Sequence, residues 1–401
     1  MKKYKLPNGM IVLYEKKDTE TVTIEIMVKV GSNNETKQIA GISHFVEHML
    51  FEGTKKRTTN QIIANEIERL GGDVNAYTTN ERTAYYIKVP KKHYAIALDI
   101  LSDIIQRSTF DKKFVEKERE IILKEINMVT DQPRFHQWIV FYKTLFKNHP
   151  SKNPTYGTKE AVRKMTRDDL ISYYNKHYLP NNMIVSVVGN SSDPLPSINK
   201  AFGFFQKGML ITATRIREPE NSKQMKIENK KILNSYMVLG YKTAQRVHPD
   251  SYVLDVITAI FSRGQSGRIV EEIRTKRGLA YECNVNHEPS TDYGVFAVYL
   301  STDKKNIPVA KKIILQEFRK LRNLTKKDIK DAKGYLEGKT ILEEEDTHHV
   351  ADELNFWELI EDAKLHKEYL KKIRQVTKGD IVRVAKKYLN DKYTMIVLMQ
   401  K

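Results

Sequence analysis

His44, Glu47 and His48 fall within five residues, in the order His-Phe-Val-Glu-His. On a helix, positions four apart share a face, so both imidazoles can reach one metal ion. Glu47, adjacent to His48 and three after His44, can reach the same face. Two neutral imidazoles, a carboxylate and one open position are the usual makings of a catalytic zinc site. A carboxylate that stays off the metal would take the proton from the zinc-bound water. With 11 His and 50 acidic residues in 401, such a triplet is expected about 0.04 times by chance. The competing reading is a pair of structural histidines on a helix that Leu50 and Phe51 bury in part.

A third ligand has to come from elsewhere. Residues 114–126 read as one helix, on which Glu118 and Glu125 are two turns apart and share a face. Ile121 and Ile122 are assigned to that face too, which puts both carboxylates on the buried side, where each needs a partner or a metal. Glu116 and Glu120 are expected to face water. A pair of solvated glutamates on a charged helix is the alternative.

The elements that must position these groups follow from periodicity. Residues 21–30 alternate Val22, Ile24, Ile26, Val28 and Val30 on one face of a strand that Gly31-Ser32 ends. Helices are predicted over 42–51 and 59–70, the second stopped by Gly71-Gly72. Residues 74–78 and 83–89 form a hairpin; helices fill 91–145 and 167–177, and 183–189 is a strand. Landmarks then recur: Thr166, Tyr178 and Met183 are matched by Thr377, Tyr388 and Met395, at offsets of 211, 210 and 212. We therefore expect a duplicated α+β architecture: two tandem, similar domains, each an antiparallel-rich sheet covered by helices on one side. The expected boundaries are 1–206 and 225–401, with a turn-rich linker over 207–224.

Composition narrows the class. A chain of 401 residues exceeds what one core usually holds, and 40% hydrophobic content excludes a disordered one. The single cysteine, Cys283, excludes an intrachain disulfide. The apolar runs are strand-sized, and 10–14 is too short for a signal-peptide core, so a soluble cytoplasmic protein without a membrane partner is expected. The net charge of +18 comes from lysines spread along the chain and interleaved with Glu, as over 112–125 and 326–345. That pattern reads as solvated helix faces, and no nucleic-acid partner is expected. His348-His349 beside 343–346 is read as a solvated helix end in preference to a second metal site.

His-x-x-Glu-His is the inverted zinc motif, and residues 41–54 closely resemble the pitrilysin/insulinase-type metallopeptidases, in particular their mitochondrial-processing-peptidase-like branch. That family places its third ligand after 76 intervening residues, which selects Glu125 here. The resemblance implies one zinc per chain on His44, His48 and Glu125, with Glu47 as the base and Glu118 supporting the site. Residues 71–78 resemble the family's strand beside the zinc, whose open edge pairs with an extended peptide; Asn75 and Ala76 are the positions carried over. Arg274 and Tyr281, within Arg…Gly-Leu-Ala-Tyr, match a pair that holds the substrate backbone and the oxyanion.

The resemblance thus implies a zinc endopeptidase acting on peptides or unfolded segments, each chain forming half of a clamshell. One chain type carries both the zinc motif and the Arg/Tyr pair, so a homodimer enclosing a cavity is expected. A heterodimer with an inactive paralogue is the alternative assembly. A non-catalytic structural subunit of the same fold is the alternative function.

Overall fold

Strand-forming residues assemble the first sheet from β1 (Lys2–Lys5), β2 (Ile11–Lys16), β3 (Thr21–Val28), β4 (Asp73–Thr78), β5 (Thr83–Pro90) and β6 (Met183–Gly189). Their spatial order is β1-β2-β6-β3-β5-β4, with β2 and β6 parallel and every other pair antiparallel. The molecule is known here from a computed structural model that describes residues 1–209 and 216–401. Residues 210–215 of the expected linker lie outside the described residues.

One face of this sheet carries α1 (Ile42–Phe51), α2 (Asn60–Glu68), α3 (Tyr94–Arg107) and α4 (Lys112–Asp131). Val22, Ile24, Ile26 and Val28 of β3 share a core with Phe45, Val46 and Met49 of α1, Leu101 and Ile104 of α3, and Ile122 of α4. Each such side chain contributes about 1.5–3 kcal/mol when fully buried, so α1 and α4 are fixed by their apolar stripes.

The second sheet contains β7 (Gln224–Lys230), β8 (Ser235–Thr243), β9 (Ala280–Pro289), β10 (Gly294–Thr302) and β11 (Thr394–Gln400), in the order β7-β11-β8-β10-β9. Here β7 and β11 form the parallel pair. This reproduces β2-β6-β3-β5-β4 strand for strand, which is the expected duplication. The repeat reaches the caps: Thr166 with Asp169, and Thr377 with Asp380, form capping boxes on helices Arg167–His177 and Lys378–Tyr388.

The compact units depart from the boundaries 1–206 and 225–401. One gathers Met1–Met128, Asn153–Thr214 and Glu343–His366; the other gathers Val129–Lys152, Arg215–Leu342 and Lys367–Lys401. The reason is that each sheet has a second face to cover. In the first unit Leu13, Met27, Ile184 and Val188 pack against Val350, Ala351 and Leu354 of helix Thr347–Ile360. In the second, α5 (Pro133–Leu145) lays Phe141 against Val238, Ile396 and Leu398. Helices thus lie on both sides of each sheet, not on one.

Covering that face buries polar groups that strand alternation assigns to water. Glu25 is fully buried; its Oε1 accepts from Asn355 Nδ2 at 2.9 Å, and His348 Nε2 lies 3.4 Å from Oε2. His348 also stacks on Tyr86, with ring centroids 3.5 Å apart. It is part of this packed interface, which corrects the expectation of a solvated helix end. Among the described residues, no helix is long and apolar enough to cross a membrane.

Candidate metal centre

The helix that carries the motif is capped from upstream. Gly41 has φ +96°, and a Cβ there would come within 2.5 Å of the Tyr156 carbonyl oxygen. No side chain at Gly41 can cap α1; instead the Glu35 carboxylate accepts from the Gly41 and Ser43 N–H groups at 2.7 and 2.9 Å. Phe45, Val46 and Met49 face the core, which turns His44 and His48 to the opposite, half-buried side with their rings 4.6 Å apart.

The partner helix α4 brings up Glu118 and Glu125. Ligand atoms of His44, His48 and Glu125 all lie within 4.8 Å of one another. Glu125 Oε2 is 3.7 Å from His44 Nε2 and 3.8 Å from His48 Nε2. Zn–N bonds of about 2.0–2.1 Å put neighbouring ligands of a tetrahedron about 3.4 Å apart, so both Glu125 distances come within a few tenths of an ångström of what zinc requires, and the donor types fit it. Glu118 is set back: its Oε2 lies 2.8 Å from His48 Nδ1, and Lys117 Nζ lies 3.3 Å from its Oε1. Lys117 also bonds Glu52 at 2.9 Å, so it is not merely a solvated lysine. Glu116 and Glu120 are exposed as expected, whereas Ile121 is 39% exposed and does not share the buried face of Glu118.

Electrostatics separate the two histidines. Burial, reinforced by the charge on His48, lowers the His44 pKa to about 3, so its imidazole is neutral and free to act as a ligand. Burial also opposes charge on His48, yet the hydrogen bond and charge of Glu118, with Glu47 and Glu125, raise its pKa overall. Glu118 titrates below the usual carboxylate range: burial opposes this, but the His48 hydrogen bond prevails. Burial raises Glu47 to about 7, against a hydrogen bond from Thr78.

Beside these groups runs a cleft of about 420 Å³ whose lining includes Glu47, His48, Phe51, Val74, Asn75 and Ala76. Asn75 and Ala76 belong to β4, which pairs with β5 alone and is therefore a sheet edge. Ala76 N–H donates to the Asn75 side-chain Oδ1 at 2.8 Å.

Comparison with known proteins bears on this geometry. Residues 10–159 match the family model described as Insulinase (Peptidase family M16), and residues 164–336 match the one described as Peptidase M16 inactive domain. A Bacillus subtilis protein named "Uncharacterized zinc protease YmxG" is 32% identical over 87% of this chain and 85% of its own length. A Rickettsia felis protein named "Uncharacterized zinc protease" is 31% identical over the same shares. The chain belongs to the insulinase family, peptidase family M16. The fold agrees: a protease from Helicobacter pylori, 23% identical, superposes with TM-score 0.94 over 99% of both chains. A peptidase M16 inactive domain from Pseudomonas fluorescens, 19% identical, gives 0.92 over 100% of this chain and 98% of that one.

Within this M16 chain the zinc-motif residues, Glu118, Glu125, Asn75 and Ala76 all belong to the first compact unit. Arg274 and Tyr281 belong to the second, and they meet each other: the guanidinium lies 5.5 Å from the centre of the Tyr281 ring. Arg274 sits in a π-helical turn, Glu271–Thr275, and Tyr281 is 86% exposed on the edge strand β9. Sequence reasoning passed over Thr78, whose hydroxyl donates to Glu47 Oε2. Strand parity offered a signal, since Thr78 shares a face of β4 with Ala76.

Proposed function

We propose that this M16 chain is a zinc-dependent endopeptidase that hydrolyses peptides or unfolded segments. The observation that carries the reading is the convergence of His44, His48 and Glu125 within 4.8 Å, with Glu47 on the same helix turn. One zinc per chain on those three ligands would supply Lewis acidity, polarising the scissile carbonyl and acidifying the attacking water. Glu47 takes the proton of that water and returns it to the leaving amine; a pKa near 7 suits both transfers. Glu118 holds the His48 ring with Nε2 turned to the site.

The β4 edge takes the substrate as an added strand, with Asn75 and Ala76 supplying backbone and side-chain hydrogen bonds. Arg274 and Tyr281 steady the peptide backbone and the oxyanion. The assembly we propose is a homodimer enclosing a cavity, in which each site is completed by the partner's Arg274 and Tyr281.

The test is zinc content and cleavage of a quenched unstructured peptide by wild type and Glu47→Gln. Near-stoichiometric zinc in both, with cleavage lost in the variant, is the expected result. Full zinc with no cleavage by wild type would favour a non-catalytic subunit, and no zinc after reconstitution would overturn the site.

A further inference from the structure

Glu47 has one hydrogen-bonding side-chain partner among the described residues, and it comes from the substrate strand. Thr78 closes β4, and its hydroxyl donates to Glu47 Oε2. That contact occupies one carboxylate oxygen and leaves Oε1 for a water. A glutamate has three rotatable side-chain bonds, so a base on α1 without a tether samples several positions, few within hydrogen-bond reach of one attacking water.

The donor itself is held stiffly. Threonine is β-branched and restricted at χ1. Immediately after it, Thr79 N–H donates to the Arg82 carbonyl at 2.8 Å, and the Thr79 hydroxyl accepts from the Glu81 and Arg82 N–H groups. On the far face Tyr77 donates to Asp352, and Arg82 Nε donates to the Tyr77 hydroxyl at 3.0 Å. The end of β4 is thus pinned on both sides of the sheet, while the strand's other edge stays open.

We infer that Thr78 is a positioning residue that aims the Glu47 carboxylate from the strand that receives the peptide, an inference that rests on the peptidase reading above. It predicts that the hydroxyl, and not the bulk or strand propensity of the side chain, sets the rate of the chemical step.

The experiment compares Thr78→Val, which keeps β-branching, with Thr78→Ser, which keeps the hydroxyl. For a quenched unstructured peptide, Thr78→Val should lower kcat about tenfold or more with KM and zinc content unchanged, and Thr78→Ser should stay within about threefold of wild type. Affinity for the same peptide, measured by fluorescence anisotropy in the Glu47→Gln background, should not respond to Thr78→Val. An unchanged kcat, equal impairment by Ser and Val, or a loss seen in KM, peptide affinity or zinc content would each overturn the role. A zinc-loaded wild type that cleaves nothing overturns the peptidase reading and this role with it; an active wild type with an unaffected Thr78→Val overturns the role alone.

Discussion

His48 Nδ1 lies 2.8 Å from Glu118 Oε2, a contact that joins α1 to α4. A proton on Nδ1 donated to this carboxylate leaves Nε2 as the ring's metal-facing atom, 3.8 Å from Glu125. His44 has no such support among the described residues: its Nδ1 is buried without a hydrogen-bond partner. Glu118 therefore orients His48, while the His44 ring is held by packing alone.

Glu118→Ala is expected to weaken zinc binding by about 10–100-fold, because the His48 ring loses its fixed tautomer and tilt. Lys117 keeps its bond to Glu52, so the helix pair stays joined. Competition with a fluorescent chelator measures the change; wild-type affinity in the variant would remove Glu118 from the site.

The open edge of β4 makes a separate prediction about substrate. The Ala76 N–H is used by the Asn75 side chain and not by β5, so it points to the free edge. Ala76→Pro removes that donor while leaving the ladder to β5 in place. A rise in KM of about tenfold, with zinc content unchanged, is the expected outcome. A KM equal to wild type would mean that the peptide takes another path.

Glu35 supplies a prediction in pH. Burial raises its pKa to about 7, against the Gly41 and Ser43 hydrogen bonds that favour the ionised form. A carboxyl raised in the folded state contributes stability that is present below its unfolded value near 4.5 and is lost as pH rises through 7. Between pH 5 and 8, the stability of wild type relative to Glu35→Gln should therefore fall by on the order of 3 kcal/mol. Paired denaturant titrations across that range measure it. A pH-independent difference would show that Glu35 does not titrate there.

Local patterns carried much of this architecture into view. The α1 span 42–51 is matched residue for residue, since the motif and its apolar stripe share one helical period. Ile121 shows where period counting fell short. The buried arc of α4 runs through Val115, Glu118, Arg119, Ile122 and Ile126, centred between Ile122 and Val115 with Glu118 at its edge, and Ile121 falls outside it. Strand alternation likewise assigns Thr23 and Glu25 to water, because nothing near them in the chain announces that helix Thr347–Ile360 will cover them. Contacts over such separations leave no periodic trace.

That covering helix has a consequence for biosynthesis. The first sheet is complete once β6 has been made, but its second face waits for a segment encoded near the end of the chain. At about 5–20 residues per second, the roughly 170 residues in between take on the order of 10–30 s to translate. Over that interval Leu13, Met27, Ile184 and Val188 have no native cover, and Glu25 lacks its Asn355 partner. The nascent chain thus carries an uncovered apolar face until late in synthesis, and two separately expressed halves cut at the linker would each lack a helix their own sheet requires.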